Sequence, residues 1–400
     1  MSKRPFDLIK PAPAGQVRSA IVELVLAHLP LGIEARSLDD ELAWDILCYA
    51  ALHQTTIESA CLELAEAPSG NTVREHLGVA LDPSREGMSE LEAQLNRTLV
   101  AQLPRKLGRR LERVRYEIAM DLVEVPYHGK AAADEHEVRR GKAKEGTTHF
   151  HMYGTLAIVH HHRRYTLALT FVWAGEKMEE VLARLLDRAR ALGLRLRRAY
   201  LDKGFCSTAV LRLLRRRHLP YLIPIPHRGG KGGIGSLFVG RQSYQTLYTF
   251  NRGTKQAYTT EVVLVRKYSR GRYGRHGVQW FAYAVYGLGA IPPHQIFELY
   301  RRRFSIESGY RQLHQVRART TSRNPALRLL LVGLALLIVN LYVTLRQCWL
   351  TLSRYGRRLR WVELTLLRLS QLWLRHLEQL LGVTEVVQVK SLSKGTVLIS

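Results

Sequence analysis

Residues 113–127 read RVRYEIAMDLVEVPY. The β-branched and aromatic residues of this stretch and the closing Pro126 predict a β-strand from Arg113 to Val125. Asp121 stands inside that otherwise apolar run. A carboxylate buried there costs on the order of several kcal/mol unless it is paired or bound to a metal. Taken alone, it reads first as a strand-end aspartate facing solvent.

The rest of the chain arranges itself around that strand. Tyr127–Glu145 is polar and reads as a loop. His149–Val159 and Tyr165–Trp173 predict two more strands, joined by a turn at His160-His161-His162-Arg163-Arg164. Adjacent histidines on a strand end point alternately apart, so a solvated turn is preferred to a metal site. Glu176–Leu192 has amphipathic helical spacing, and Arg197–Asp202 reads as a strand. Ser207 caps a basic helix reaching about His218, and Leu219–Ile225 is a strand closed by Pro226. Asp202 sits where a strand stops and a turn starts, in Tyr200-Leu201-Asp202-Lys203-Gly204-Phe205. Ligand sites of open α/β sheets form at such carboxyl ends, although ordinary turn aspartates occupy the same places. A Gly-rich stretch from His227 to Gly240 precedes strand-like runs at Ser243–Phe250, Tyr258–Arg266 and Val278–Tyr286. Pro293 then opens a long helix through Tyr300 and Glu307.

Upstream, residues 1–105 read as helical. Leu38–Leu52 has helical spacing, Thr55 caps a second helix with Glu58 three residues later, and Thr72–Leu77 follows a turn at Pro68–Asn71. This is the outline of a helix-turn-helix, one that many small bundles share. Asp82–Gly87 reads as a connector.

The chain has 400 residues, 46% of them hydrophobic, which excludes wholesale disorder. Lys and Arg number 60 against 34 acids, a formal charge of +26 that points to a polyanionic partner, nucleic acid before a membrane surface or a ribosome. Cys48, Cys61, Cys206 and Cys348 are scattered, which argues against structural zinc and fits a reducing, cytoplasmic (nucleoid-associated) location. The opening MSKRPFDLIKPAPAG shows no apolar signal region. Leu327–Leu345, LRLLLVGLALLIVNLYVTL, approaches bilayer-spanning length. Arg328 and Asn340 inside it favour a buried core helix, with a membrane span as the rival reading.

Tyr300–Arg323 reads YRRRFSIESGYRQLHQVRARTTSR, with seven arginines and a single acid, Glu307. Helical spacing puts Tyr300, Arg303, Glu307 and His314 on one face. A merely solvated helix would show acids at i,i+4 from most of these arginines, and here Glu307 alone serves Arg303 and Arg311 while the other five have none within the stretch.

That spacing resembles the Tyr-x-x-Arg-x-x-x-Glu signature of DDE-type insertion-sequence transposases, with His314 where the signature ends in Lys. Asp202-Lys203-Gly204-Phe205 resembles the family's second-aspartate motif, and Asp121-Leu122-Val123 with Val125-Pro126-Tyr127 its first. The likeness covers about residues 110–345, including a β-rich insertion at 227–293. It implies an α/β fold: a ribonuclease-H-like catalytic core interrupted by that insertion, with an α-helical N-terminal domain. The implied domains are 1–105 (helical, DNA-binding), 106–226 (first part of the core), 227–293, 294–350 (catalytic and buried helices) and 351–400.

The resemblance also implies a mechanism. Asp121, Asp202 and Glu307 would be catalytic and hold two Mg²⁺ ions, or Mn²⁺ in their place, with Asp121 bridging. Phosphodiester hydrolysis would be followed by attack of the freed 3′ hydroxyl on target DNA. Arg303 would grip a phosphate and Tyr300 would hydrogen-bond one, unless Tyr300 only packs. Trp280 would stack on a flipped base, unless it is a core residue. Lys203 and the basic residues at 215–217, 228, 231, 266, 267, 270, 272 and 275 would add phosphate contacts. His314 would take the Lys position among the DNA-binding residues; it is mostly neutral near pH 7 and holds a phosphate less well, so either Arg311 or Arg317 substitutes or the element is partly decayed. The expected partners are terminal inverted repeats and target DNA, bound by a homodimer, with no membrane. Two rival readings share the fold: an inactive, transposase-derived DNA-binding protein, and a ribonuclease-H-like nuclease that does not join strands.

Overall fold

Side-chain caps set the helices of the first hundred residues. The computed structural model describes residues 14–160, 163–227, 233–270, 276–289, 291–301, 312–348, 350–355 and 358–384. Helix α1 (Ala14–His28) leads through a two-strand hairpin, β1 (Glu34–Ala35) and β2 (Leu38–Asp39), to α2 (Asp40–His53). Then come α3 (Ile57–Glu63), α4 (Gly70–Ala80), α5 (Arg85–Ala101) and the short α6 (Arg105–Gly108). Asp39, Thr56, Ser69 and Ser84 accept the N–H of Leu42, Ser59, Thr72 and Gly87, each satisfying an open donor of a first turn. The cap of α3 is therefore Thr56 rather than Thr55, because Thr56 is the last residue with extended backbone. The expected connector at Asp82–Gly87 gives way to α5 at Arg85, behind its Ser84 cap.

A single sheet follows. Its strands are β3 (Arg115–Pro126), β4 (Arg139–Lys144), β5 (Thr147–His160), β6 (Arg163–Val172), β7 (Arg195–Leu201), β8 (Tyr221–Pro224), β9 (Tyr244–Phe250), β10 (Tyr258–Arg270) and β11 (His276–Tyr286). They form a nine-stranded sheet in the order β4-β5-β3-β7-β8-β11-β10-β9, with β6 also beside β5. β3, β7 and β8 run parallel, and the other pairs are antiparallel. The polar 127–145 stretch thus contains a strand, β4. Its sequence, Arg-Arg-Gly-Lys-Ala-Lys, lacks apolar alternation because it pairs only with the start of β5 and buries no face. The strands after the Gly-rich stretch extend the same sheet through β8 and β11.

Helices α7 (Met178–Ala191) and α8 (Thr208–Arg216) cover one face, with Val181, Leu185, Leu211 and Leu214 packed into the cluster of Ile118, Leu156 and Leu201. The other face carries α9 (Pro293–Arg301) and α10 (Pro325–Cys348). A hairpin of β12 (Leu350–Tyr355) and β13 (Arg358–Glu363) then leads to α11 (Leu366–Leu381).

Among the described residues α10 alone is long and apolar enough to cross a membrane, but 94% of its apolar window is buried inside the protein. It shares one core with α1, α2, α5 and α11. Gly333 lets it lie against α5, since a Cβ there would come within 2.4 Å of Leu95. Its two buried polar residues, Arg328 and Asn340, have structural work. Arg328 donates to the carbonyls of Ser322 and Thr320. Asn340 accepts the N–H of Thr166 at 3.0 Å and donates to its carbonyl at 2.9 Å. Asn96 treats Leu169 the same way, and Glu92 accepts the N–H of Phe171. Side chains of α5 and α10 thereby stand in for a missing strand and close the β6 edge.

Candidate active site

The parallel register of β3 and β7 pairs Ala119 with Tyr200 and Met120 with Leu201. The next positions are Asp121 and Asp202. Residues two apart on a strand share a face, and neighbouring strands lie about 4.8 Å apart. The two aspartates therefore stand side by side, on the face opposite α7 and α8. Asp121 is 7% exposed and accepts the Leu122 N–H at 2.9 Å. Asp202 is half-buried and continues the extended backbone of β7. It accepts the Gly204 N–H at 3.3 Å, capping a 3₁₀ turn that buried Phe205 anchors beneath α8.

Glu307, Arg303 and Arg311 lie outside the described residues. Their flanks do not. Upstream, α9 rests on β10 and β11, where Ile296, Leu299 and Tyr300 join a cluster with Val263, Val265, Tyr283, Tyr200 and Ala119. Tyr300 is buried, its ring 5.3 Å from that of Tyr283. Its hydroxyl donates to the carbonyl of Leu201, the residue before Asp202, at 3.2 Å. Downstream, Leu313 and Val316 belong to the cluster that holds Val123 and Val125. Ala119, Val123 and Val125 share the face of Asp121, so the chain is anchored on both sides of it. Among the described residues no three His, Cys, Asp or Glu groups converge. The other acid on this face of β3, Glu117, is engaged by Arg198 at 3.6 Å and by the Tyr200 hydroxyl at 3.0 Å.

A family model described as "Transposase DDE domain" matches residues 113–341. The chain belongs to the transposase DDE domain family. The match begins at β3 and ends within α10, so it takes in both aspartates, α9 and β9–β11, and leaves α1–α6 ahead of it. Among solved structures, the DDE-family chain is similar to a piggyBac transposase synaptic complex with hairpin DNA. The TM-score is 0.50 at 9% identity, covering 94% of this chain and 80% of that one, a likeness of fold. No curated relative matches it.

Not every residue singled out in this DDE-family sequence reaches the aspartate pair. Trp280 shares its face of β11 with Ala282 and Ala284, on the α7/α8 side of the sheet. It stacks on Phe238 with centroids 5.9 Å apart and meets Tyr244 edge-on. The alternation of β11 thus points it away from the carboxylates. Tyr300 reaches the strand end beside them, where its hydroxyl donates to the Leu201 carbonyl. Lys203 is exposed beside Asp202. His314 is at the surface, and desolvation, then the charges of Arg317 and Lys144, hold its pKa below the usual imidazole value. Several basic residues have protein partners: Arg215 lies over Tyr286, Lys267 pairs with Glu298, and Arg217 pairs with Asp187. Arg228, Lys231, Arg272 and Arg275 fall outside the described residues.

Sequence reasoning missed a basic cavity of about 670 Å³ at the end of β3, lined by Tyr127, Lys130, His149 and Arg323 among others. Tyr127 in the first-aspartate motif was its one legible signal.

Proposed function

We propose that this DDE-family chain is the DNA transposase of an insertion sequence, cutting at element ends and joining the freed 3′ ends to target DNA. The observation that supports it most is the register that sets Asp121 beside Asp202, with the Glu307 segment anchored on either side. The order β6-β5-β3-β7-β8, with the last three parallel, fits a ribonuclease-H-like core. On this reading β9–β11 are the insertion, and they act as the floor for α9.

Asp121 and Asp202 are hard oxygen donors of the kind Mg²⁺ or Mn²⁺ takes, and Glu307 would be the third. Bound divalent ions would activate the attacking oxygen and stabilise the leaving one. The chain's own residues do the positioning. The Tyr300 bond to Leu201 fixes the end of α9 relative to Asp202, and Arg303 would orient a phosphate by its planar fork. The net charge of +26 supplies sequence-independent attraction to DNA. The α3–α4 pair would read terminal repeats, and two copies would hold two element ends, in the nucleoid.

The test uses D121N, D202N and E307Q on duplexes carrying the inverted repeats that bound the coding region. Each variant is expected to lower Mg²⁺-dependent cleavage and strand transfer on the order of 10⁴-fold, with DNA binding retained. Unchanged activity in any of them refutes the carboxylate site, and a wild type that binds these duplexes without cutting them returns the chain to a DNA-binding role. Hydrolysis by the wild type without joined product makes it a nuclease.

A further inference from the structure

We propose that the cavity at the end of β3 grips the DNA phosphodiester backbone some distance from the cut; this rests on the transposase reading and deepens it. The cavity is built rather than incidental. Its floor is Tyr127 and Thr147, both buried. The Tyr127 N–H donates to the His149 carbonyl at 2.9 Å, and the Thr147 hydroxyl donates to the Tyr127 carbonyl at 2.8 Å, extending the β3–β5 pairing under it. Its sides are His128, Lys130, His149 and Arg323, and no carboxylate lines it. The Arg328 guanidinium lies 4.6 Å from the Tyr127 ring centre and adds positive charge there. The nearby acid Glu137 is turned away, accepting the N–H groups of Ala132, Ala133 and Asp134. An anion is the ligand this lining suits, and Lys130 and Arg323 are exposed donors free to reach it.

The position argues for a strand of DNA over a single free phosphate. Tyr127 is six residues beyond Asp121 and on the same face of the sheet. That is roughly 20 Å along β3, on the order of six base-pair steps of duplex. A cavity of 670 Å³ holds more than one phosphate group.

Fluorescence anisotropy with a labelled 30-base-pair duplex, titrated across NaCl concentrations, tests this. K130A/R323A is expected to reduce the slope of log affinity against log salt by roughly two, near 0.9 for each phosphate no longer neutralised. K130R/R323K is expected to retain it, and R252A/K255A, which removes the same charge at the β9–β10 turn, should leave it unchanged. Thermal melts confirm that each variant folds. An unchanged slope in K130A/R323A, with the wild type binding DNA, overturns the cavity alone; a wild type without salt-dependent binding sinks the transposase reading itself. An equal fall in both alanine pairs also overturns the cavity. So does stabilisation of the wild type, but not K130A/R323A, by inorganic phosphate when the DNA slope is unaltered, since that makes it a free-phosphate site.

Discussion

His151 lies on β5 with no exposure, on the same face as Asp121, its ring 4.6 Å from Tyr127 and 5.9 Å from Phe171. Neither ring nitrogen has a hydrogen-bond partner among the described residues. Burial, then the charge of Arg328, pushes its pKa down from 6.5 to about 3. The unfolded chain takes up a proton as pH falls through 6.5, and the folded one refuses it until about 3. This contribution to stability is therefore present above pH 6.5 and is lost below it, at about 1.4 kcal/mol per pH unit. Urea unfolding at pH 7, 6 and 5 should show that loss, and H151F should remove about that much of the slope; parallel slopes in the two proteins would refute it. The same scale shows the reach of spacing arguments. The seven-residue offset between Tyr300 and Glu307 predicts one helix face for both. Spacing does not say what else a tyrosine hydroxyl meets, and that of Tyr300 donates to the Leu201 carbonyl. Nor does it say which face of the sheet a strand residue such as Trp280 takes, because that depends on the register with β10 and β8.

Elements were legible wherever a period or a cap carried them. The alternation of β5 and β6, the amphipathic spacing of α7 and the Ser207 cap of α8 each stand close to where their residues predict. β4 was not legible, because an edge strand that buries nothing carries no pattern. α10 posed the opposite problem, since a helix apolar all round suits a core and a bilayer alike. Asn340 separated them: inside the protein it answers both backbone groups of Thr166 on the β6 edge. N340L should strand those two groups and cost about 2–4 kcal/mol, with faster amide exchange at Thr166. Urea melts and hydrogen exchange matching the wild type would mean that the edge needs no such cover.

At the scale of the whole molecule, the family match and the core have different boundaries. The match covers residues 113–341. The core around α10 also draws on Val17, Trp44 and Leu47 upstream and on Leu369, Trp373 and Leu377 downstream. Residues 113–341 expressed alone should therefore expose much of α10 and show no cooperative thermal transition, whereas the full chain should; a sharp melt from the isolated segment would show that α10 needs neither flank. Residue type and local period alone supply the chemistry on offer: a basic surface, one aspartate inside a strand, another where a strand stops, and a glutamate in an arginine-rich segment. The fold adds that β3 and β7 run parallel in the register that makes Asp121 and Asp202 neighbours, that β10 and β11 form the floor beneath α9, and that the apolar helix is wrapped by helices from upstream and downstream. Strand register and helix burial are set by contacts between segments far apart in sequence, and such contacts leave no period in either segment to read.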